Sequence, residues 1–335
     1  MKALLLESPG AAVLREVPEP DVAGRALVTV NRVGICGTDV SIFRGKISVS
    51  VPRIMGHEVV GVVERAGPLG LVPAGSKVVV DPTITCGYCD MCRGDRSNLC
   101  RNGGLMGREV DGVYAERLAI DEKLLHVIPD QVPMEAGPLL QVLATCVHAQ
   151  SGFAVFPGDT AVVIGLGVTG NLHLQLLAAR GITSIVAVTR SEWKRDLATD
   201  WGATHSVGPD RATEAVMKAS DGRGAAVVIE SAGYESTLSQ AIELAAPAGT
   251  VVLFGTITGG QAGLPYYLLY EKELTILNPR AALPRDFPRA IELVAAGAVS
   301  IAPLVTHRFP LEEGPAALAA LTDDPKALKM ILEVS

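Results

Sequence analysis

The chain has 335 residues, 48% of them hydrophobic, so it can bury a large core without covalent staples. Its formal charge of −7, with no basic run, argues against nucleic acid as a partner. Glycine and proline are spread along the chain, and neither a low-complexity tail nor an internal repeat is present.

The N-terminal run "MKALLLESPGAAV" is broken by Glu7 and Pro9, too early for a secretory or membrane-spanning segment. A reducing, cytoplasmic setting is therefore expected. Up to about residue 130 short β-branched runs dominate, among them "ALVTVNRVG", "EVVGVVERAG" and "SKVVVDP". Within this part "GICGTD" offers Cys36, and "IMGHEVVG" offers His57 and Glu58. A thiolate, an imidazole and a carboxylate suit a catalytic zinc with an open position. Each taken singly reads equally well as a buried thiol, a core histidine or a solvated acid, and spacing alone does not separate these readings.

The stretch "TCGYCDMCRGDRSNLC" crowds four of six cysteines, Cys86, Cys89, Cys92 and Cys100, at spacing C-x2-C-x2-C-x7-C. In a reducing compartment such clustering means a metal rather than disulfides. Four sulfurs close a tetrahedral shell and leave no position for substrate, so this zinc is expected to be structural.

From about Asp159 the pattern changes. The apolar strands "DTAVVIGLG", "SIVAVT", "AAVVIESAG" and "TVVLFG" alternate with the helical stretches "NLHLQLLAARG", "SEWKRDLATDWG" and "TLSQAIELAAPAG". This predicts a parallel sheet covered on both faces, a doubly wound α/β half. Its first turn reads G-x-G-x-x-G at Gly165, Gly167 and Gly170, with Val168 and Thr169 between, after a strand and opening a helix. That context marks a dinucleotide-phosphate site. At the end of the next strand an NAD site carries Asp or Glu. Here Thr189 stands there, followed by Arg190, Ser191 and, further on, Lys194. Hydroxyls and cations in place of an anion favour a 2′-phosphate, so NADP is expected over NAD.

The order of "GICGTD", "GHEVVGVVERAG", the cysteine loop, "GDTAVVIGLGVTG", "VVIESAG" and "PLVTHRFPLEEGPAAL" resembles the zinc-containing medium-chain alcohol/polyol dehydrogenases along nearly the whole chain. The resemblance implies a GroES-like β-rich catalytic domain over 1–146 with its zinc loop at 85–101. It implies a Rossmann domain over 147–282, a return to the catalytic domain over 283–335, and an active site in the cleft. Cys36 and His57 fall on the family's catalytic zinc ligands, and Glu58 on a nearby acid able to reach the metal. The third protein ligand, Cys or Glu in relatives, corresponds to Gln141, a neutral and weaker donor; Cys146 is the alternative. Thr38 falls on the first proton-relay hydroxyl, and Ser41 stands where many members carry a relay histidine. Arg280 matches a cation beside the cofactor's phosphates, His307 reads as packing or surface, and Arg44 or Lys46 are candidates to receive a substrate carboxylate.

The resemblance implies hydride transfer between the secondary alcohol of a polyol, sugar or sugar acid and NADP, with two zinc ions per chain. It also implies a homodimer or homotetramer joined through the edge of the Rossmann sheet. The alternatives are a primary-alcohol or aldehyde enzyme of the same family, or a non-enzymatic NADP-binding protein with a decayed metal site. A zinc-free quinone reductase would lack the cysteine loop and the Cys36/His57 pair.

Overall fold

The computed structural model of the chain describes residues 1–257, 263–321 and 324–334. The chain divides into two compact units. One comprises Met1–Ala144, Ala282–Ala295 and Ile301–Ser335; the other comprises Thr145–Ala281 and Ala296–Ser300.

The first unit is built around the ten-residue strand Ala26–Ile35. It pairs antiparallel with Glu58–Arg65, Arg117–Ile120 and the C-terminal strand Lys329–Glu333. Beyond Glu58–Arg65 the sheet continues through Lys77–Val80 to Leu125–Val127, and beyond Lys329–Glu333 to Val305–Pro310. The β-branched side chains that predict these strands fill the core, where Val28, Val30, Val33, Val59 and Val78 have no exposed surface. Register sets the neighbours at the end of the central strand: Gly34 lies opposite Glu58 and Ile35 opposite Met330. Three distant stretches of chain therefore meet there. A three-stranded sheet, Ala11–Glu16, Lys2–Ser8 and Arg53–Ile54, completes the unit's main framework. The cysteine-rich loop rises from a two-residue ladder between Thr83–Ile84 and Gly104–Leu105.

The second unit is a six-stranded parallel sheet in the order His205–Val207, Ser184–Val188, Thr160–Ile164, Ala225–Glu230, Ala245–Leu253 and Thr275–Leu277. All five residues of Thr160–Ile164 are buried, as a strand covered on both faces requires. The chain moves outward from this strand first to one side and then to the other, which opens a crevice at its carboxyl end.

One element appears where no helix was expected, and one expected helix ends early. "GTDVSIF" lies in the strand-rich part yet forms the helix Gly37–Phe43, which Asp39 starts by accepting a 2.8 Å bond from the Cys36 amide. "AAPAG" continues a helical pattern, yet the helix stops at Leu244 and Ala245 opens a strand. Pro247 cannot donate an intrahelical bond, and the chain extends instead.

Candidate active site and zinc centres

Cys36 follows the central strand directly and caps the Gly37–Phe43 helix; His57 immediately precedes, and Glu58 opens, the strand paired beside it. The ligand atoms of Cys36, His57 and Glu58 lie within 4.8 Å of one another. His57 and Glu58 are buried, and Cys36 is half-buried. Gly56, which precedes them, has φ +89°, and a Cβ there would run into the ring of Tyr114. Only glycine permits that approach.

Three further residues surround the set, and the spacing of the sequence points to none of them. Asp39, fully buried, sets one carboxylate oxygen 3.4 Å from His57 Nδ1 and receives a 2.9 Å hydrogen bond from the Tyr114 hydroxyl on the other. An imidazole whose Nδ1 faces a carboxylate presents Nε2 to a ligand. Burial lowers the His57 pKa, but the negative charges of Asp39 and then Cys36 outweigh it and hold the imidazole well above its ordinary range. Lys329, buried on the C-terminal strand, donates 2.6 Å to Glu58 Oε2 and 3.1 Å to the Ile35 carbonyl. Burial lowers the lysine's pKa, yet Glu58, followed by Cys36, raises it further.

This donor chemistry fits a divalent cation. With Cys36 as thiolate and His57 neutral, the protonation states that metal ligation requires, three anions (Cys36, Asp39, Glu58) face one buried cation, Lys329. The imbalance of two negative charges is costly in a buried setting and is matched by one dication. Glu58 uses Oε2 on Lys329, which leaves Oε1 for a metal.

Gln141, buried, stands in the first turn of the helix Leu139–Ser151. The segment entering that helix packs on the strand of Glu58, where a Cβ at Gly137 would meet the side chain of Val60. Cys146 turns elsewhere: its thiol lies 3.9 Å from the Thr169 carbonyl, and burial pushes it well above the ordinary thiol range. Thr38 and Ser41 ride the Gly37–Phe43 helix, both half-buried. Arg44 and Lys46 are exposed just beyond it, and His307 pairs with Asp324 at 3.1 Å near the surface.

The four-cysteine loop is already shaped for metal. Cys86–Cys100, Cys89–Cys92, Cys89–Cys100 and Cys86–Cys92 have sulfur separations of 3.5, 3.6, 3.9 and 4.0 Å. A tetrahedral zinc with Zn–S of about 2.3 Å has edges of about 3.8 Å. The Arg101 and Cys92 amides pull the Cys89 thiol down to about 6, while burial pushes Cys92 up to about 12, so metal binding must still displace protons from the set. Asp90 and Arg101 staple the loop with two bonds of 2.6 and 2.7 Å.

In the second unit Gly165 has φ +88° and lies against Ala232, while a Cβ at Gly170 would strike the Gly165 carbonyl. Gly167 caps the helix Val168–Ala179, whose amides open toward the crevice. Asn171, fully buried, donates to the Leu166 and Gly167 carbonyls at 3.2 and 2.8 Å and so fixes the turn. Thr169 shares a 2.6 Å hydrogen bond with Ser231. Thr189 ends its strand with an amide bond to Val207, and Arg195 donates to the Thr189 and Arg190 carbonyls, both at 3.1 Å, shaping the turn that presents Arg190 and Ser191. Neither Arg190 nor Lys194 is paired with a carboxylate among the described residues; each lies against an aromatic ring. Burial lowers the pKa of Lys194. Arg280 is exposed three residues past the edge strand Thr275–Leu277.

Residues 22–130 match the model of the alcohol dehydrogenase GroES-like domain, and residues 168–296 that of the zinc-binding dehydrogenases. The chain belongs to the zinc-type medium-chain alcohol/polyol dehydrogenases. The family's GroES-like and Rossmann-type folds account for the two units, and its members are named oxidoreductases. A curated relative, the 2-dehydro-3-deoxy-L-galactonate 5-dehydrogenase of Pseudoalteromonas atlantica, is 30% identical over 93% of this chain and 92% of its own. Among solved structures, a Sinorhizobium meliloti protein described as a zinc-binding dehydrogenase and bound to NADP superposes with TM-score 0.90 at 33% identity, covering 99% of both chains. RspB of Escherichia coli, complexed with NADH, superposes at 0.89 with 27% identity over 100% of this chain and 99% of that one. Among the described residues no helix is long and apolar enough to cross a membrane.

Proposed function

We propose that this dehydrogenase is zinc-dependent and moves a hydride between the secondary alcohol of a polyol, sugar or sugar acid and NADP. The cluster of Cys36, His57 and Glu58, which with Asp39 and Lys329 is short of positive charge by two once its thiol and imidazole are in their ligand states, carries the reading. Cys36 and His57 would hold the catalytic zinc, with Gln141 and Glu58 as the further candidate donors. A neutral Gln141 leaves the ion more electrophilic than a third anionic ligand would. When bound, zinc lowers the pKa of an alcohol and the nicotinamide takes up hydride.

The chain's own residues do the rest. Asp39 fixes the tautomer and tilt of His57, and Tyr114 fixes Asp39. Thr38 receives the alcohol proton and passes it outward, with Ser41 and solvent as the exit. The turn at Gly165–Gly170, including Val168 and Thr169, cradles the pyrophosphate, and Arg280 lies near it. Thr189, Arg190, Ser191 and Lys194 receive the 2′-phosphate. Cys86, Cys89, Cys92 and Cys100 hold the second, structural zinc; the thiols of both sites point to a reducing, cytoplasmic setting.

The sugar-acid substrate named for the Pseudoalteromonas relative supports the substrate class. Its test is an NADP-linked oxidation screen over polyols, sugars and sugar acids, with primary alcohols as the contrast. Turnover of at least one polyhydroxylated secondary alcohol, with kcat/KM higher for NADP than for NAD, is the expected result. Turnover of simple primary alcohols alone, or a preference for NAD, would refute the corresponding half.

A further inference from the structure

Arg190 follows the strand Ser184–Val188, and Tyr234 caps the helix that follows Ala225–Glu230. These two strands flank Thr160–Ile164 on opposite sides, so the backbones stand two strand spacings apart, about 10 Å. Their side chains close that gap above the glycine turn, with the guanidinium carbon 6.0 Å from the tyrosine ring centroid. The ring stands on a rigid platform. Buried Glu230 accepts bonds from the Ala232 and Gly233 amides at 2.7 and 2.8 Å and from the Thr237 hydroxyl at 2.8 Å. That hydroxyl lies 2.8 Å from the Tyr234 carbonyl and 3.3 Å from its amide, at the head of the helix. Arg190, by contrast, has a fixed carbonyl, held by Arg195, but a long stem and no carboxylate partner among the described residues.

An arginine left to wander loses much of its affinity for phosphate to side-chain ordering. A ring that already restricts the guanidinium removes part of that loss. Tyr234 is 57% exposed, so its ring is available to the crevice and is not part of the core. We propose that Tyr234 is a specificity-determining residue: it positions Arg190 over the end of the Ser184–Val188 strand for the adenosine 2′-phosphate. The inference rests on the NADP reading and adds a residue whose own chemistry cannot bind phosphate as a cation does.

Binding of 2′,5′-ADP and 5′-AMP to the full chain by calorimetry tests it without turnover. The wild type binds 2′,5′-ADP more tightly, and Arg190→Ala abolishes most of the difference. Tyr234→Leu weakens 2′,5′-ADP about two- to five-fold, the range of an exposed cation–π contact, and leaves 5′-AMP unchanged. Tyr234→Phe, which keeps the ring face, restores the wild-type ratio. The 5′-AMP affinity of each variant reports that the pocket is folded. An equal loss for both nucleotides, which would mark Tyr234 as a plain adenine contact, or no loss for either, overturns the proposal while the NADP reading stands. Should the wild type and Arg190→Ala both bind the two nucleotides equally, the NADP reading fails and this role of Tyr234 falls with it.

Discussion

Lys329 is joined to Glu58 across 271 residues of chain, at 2.6 Å and with both side chains buried. Removing one partner of such a pair strands the other's charge in a low dielectric, which costs about 3–5 kcal/mol. Lys329→Met should therefore lower stability by that order in denaturant titration. Adding Glu58→Gln should recover most of the loss, because the stranded charge is then gone. A near-neutral single variant would show that Glu58 does not need this partner. Asp81 makes the opposite case. Burial, with a smaller push from Asp286, raises its folded pKa to about 6 against an ordinary 3.8. The folded state thus favours the protonated acid, and stability falls as pH rises from about 4 to about 6, then stays low. A displacement of about two pH units corresponds to about 3 kcal/mol. Asp81→Asn, which keeps the acceptor for the 2.9 Å bond from the Thr83 amide, should raise the melting temperature at pH 7.5 and leave it unchanged near pH 4. A loss at pH 7.5 would mean that the charged form is the stabilising one.

Elements differ in how visible they were beforehand. Chemistry that demands particular residue types at fixed spacing was legible: four sulfurs in one loop, three glycines in one turn. Lys329, Asp39 and Tyr114 were not, because their roles arise from register and not from spacing. Nothing near Lys329 says that its strand lies beside Ile35, yet that pairing delivers the ammonium to Glu58. Asp39 reads locally as a helix-start acid, which it also is, and only the fold turns its second oxygen toward His57. The helix Gly37–Phe43 and the extended Ala245–Leu253 stretch escaped for related reasons, a cap and a proline overriding the local pattern. The cysteine loop yields an element-scale prediction. It contains a four-residue helix, one 3-10 turn and a two-residue ladder, too little structure to hold itself. Cys89→Ser should open residues 86–103 to proteolysis while nucleotide affinity of the Rossmann-type unit stays as it was. Unchanged protection of the loop would contradict a structural zinc.

At the scale of the whole molecule, the parallel sheet ends in the short strand Thr275–Leu277, whose outer edge is unpaired among the described residues. Beside it in sequence the helix Tyr266–Glu271 has no buried residue, and Tyr266, Tyr267 and Tyr270 are all exposed. An open edge next to three exposed rings, uncovered among the described residues, has the character of an interaction surface. A homodimer or homotetramer joined there is the expected state, and light scattering should give two or four times the chain mass, with Tyr267→Glu and Tyr270→Glu together shifting it toward monomer. A monomeric wild type would rule this out.

If the negatively charged cluster at Cys36, His57 and Glu58 is the catalytic centre, it binds a metal of its own, separate from the one in the cysteine loop. Elemental analysis of the purified chain and its Cys36→Ala variant decides it. The wild type should carry two zinc ions per chain and the variant one, with dehydrogenase activity lost and the cysteine loop still protected. One zinc in the wild type, or two in the variant, would contradict the account.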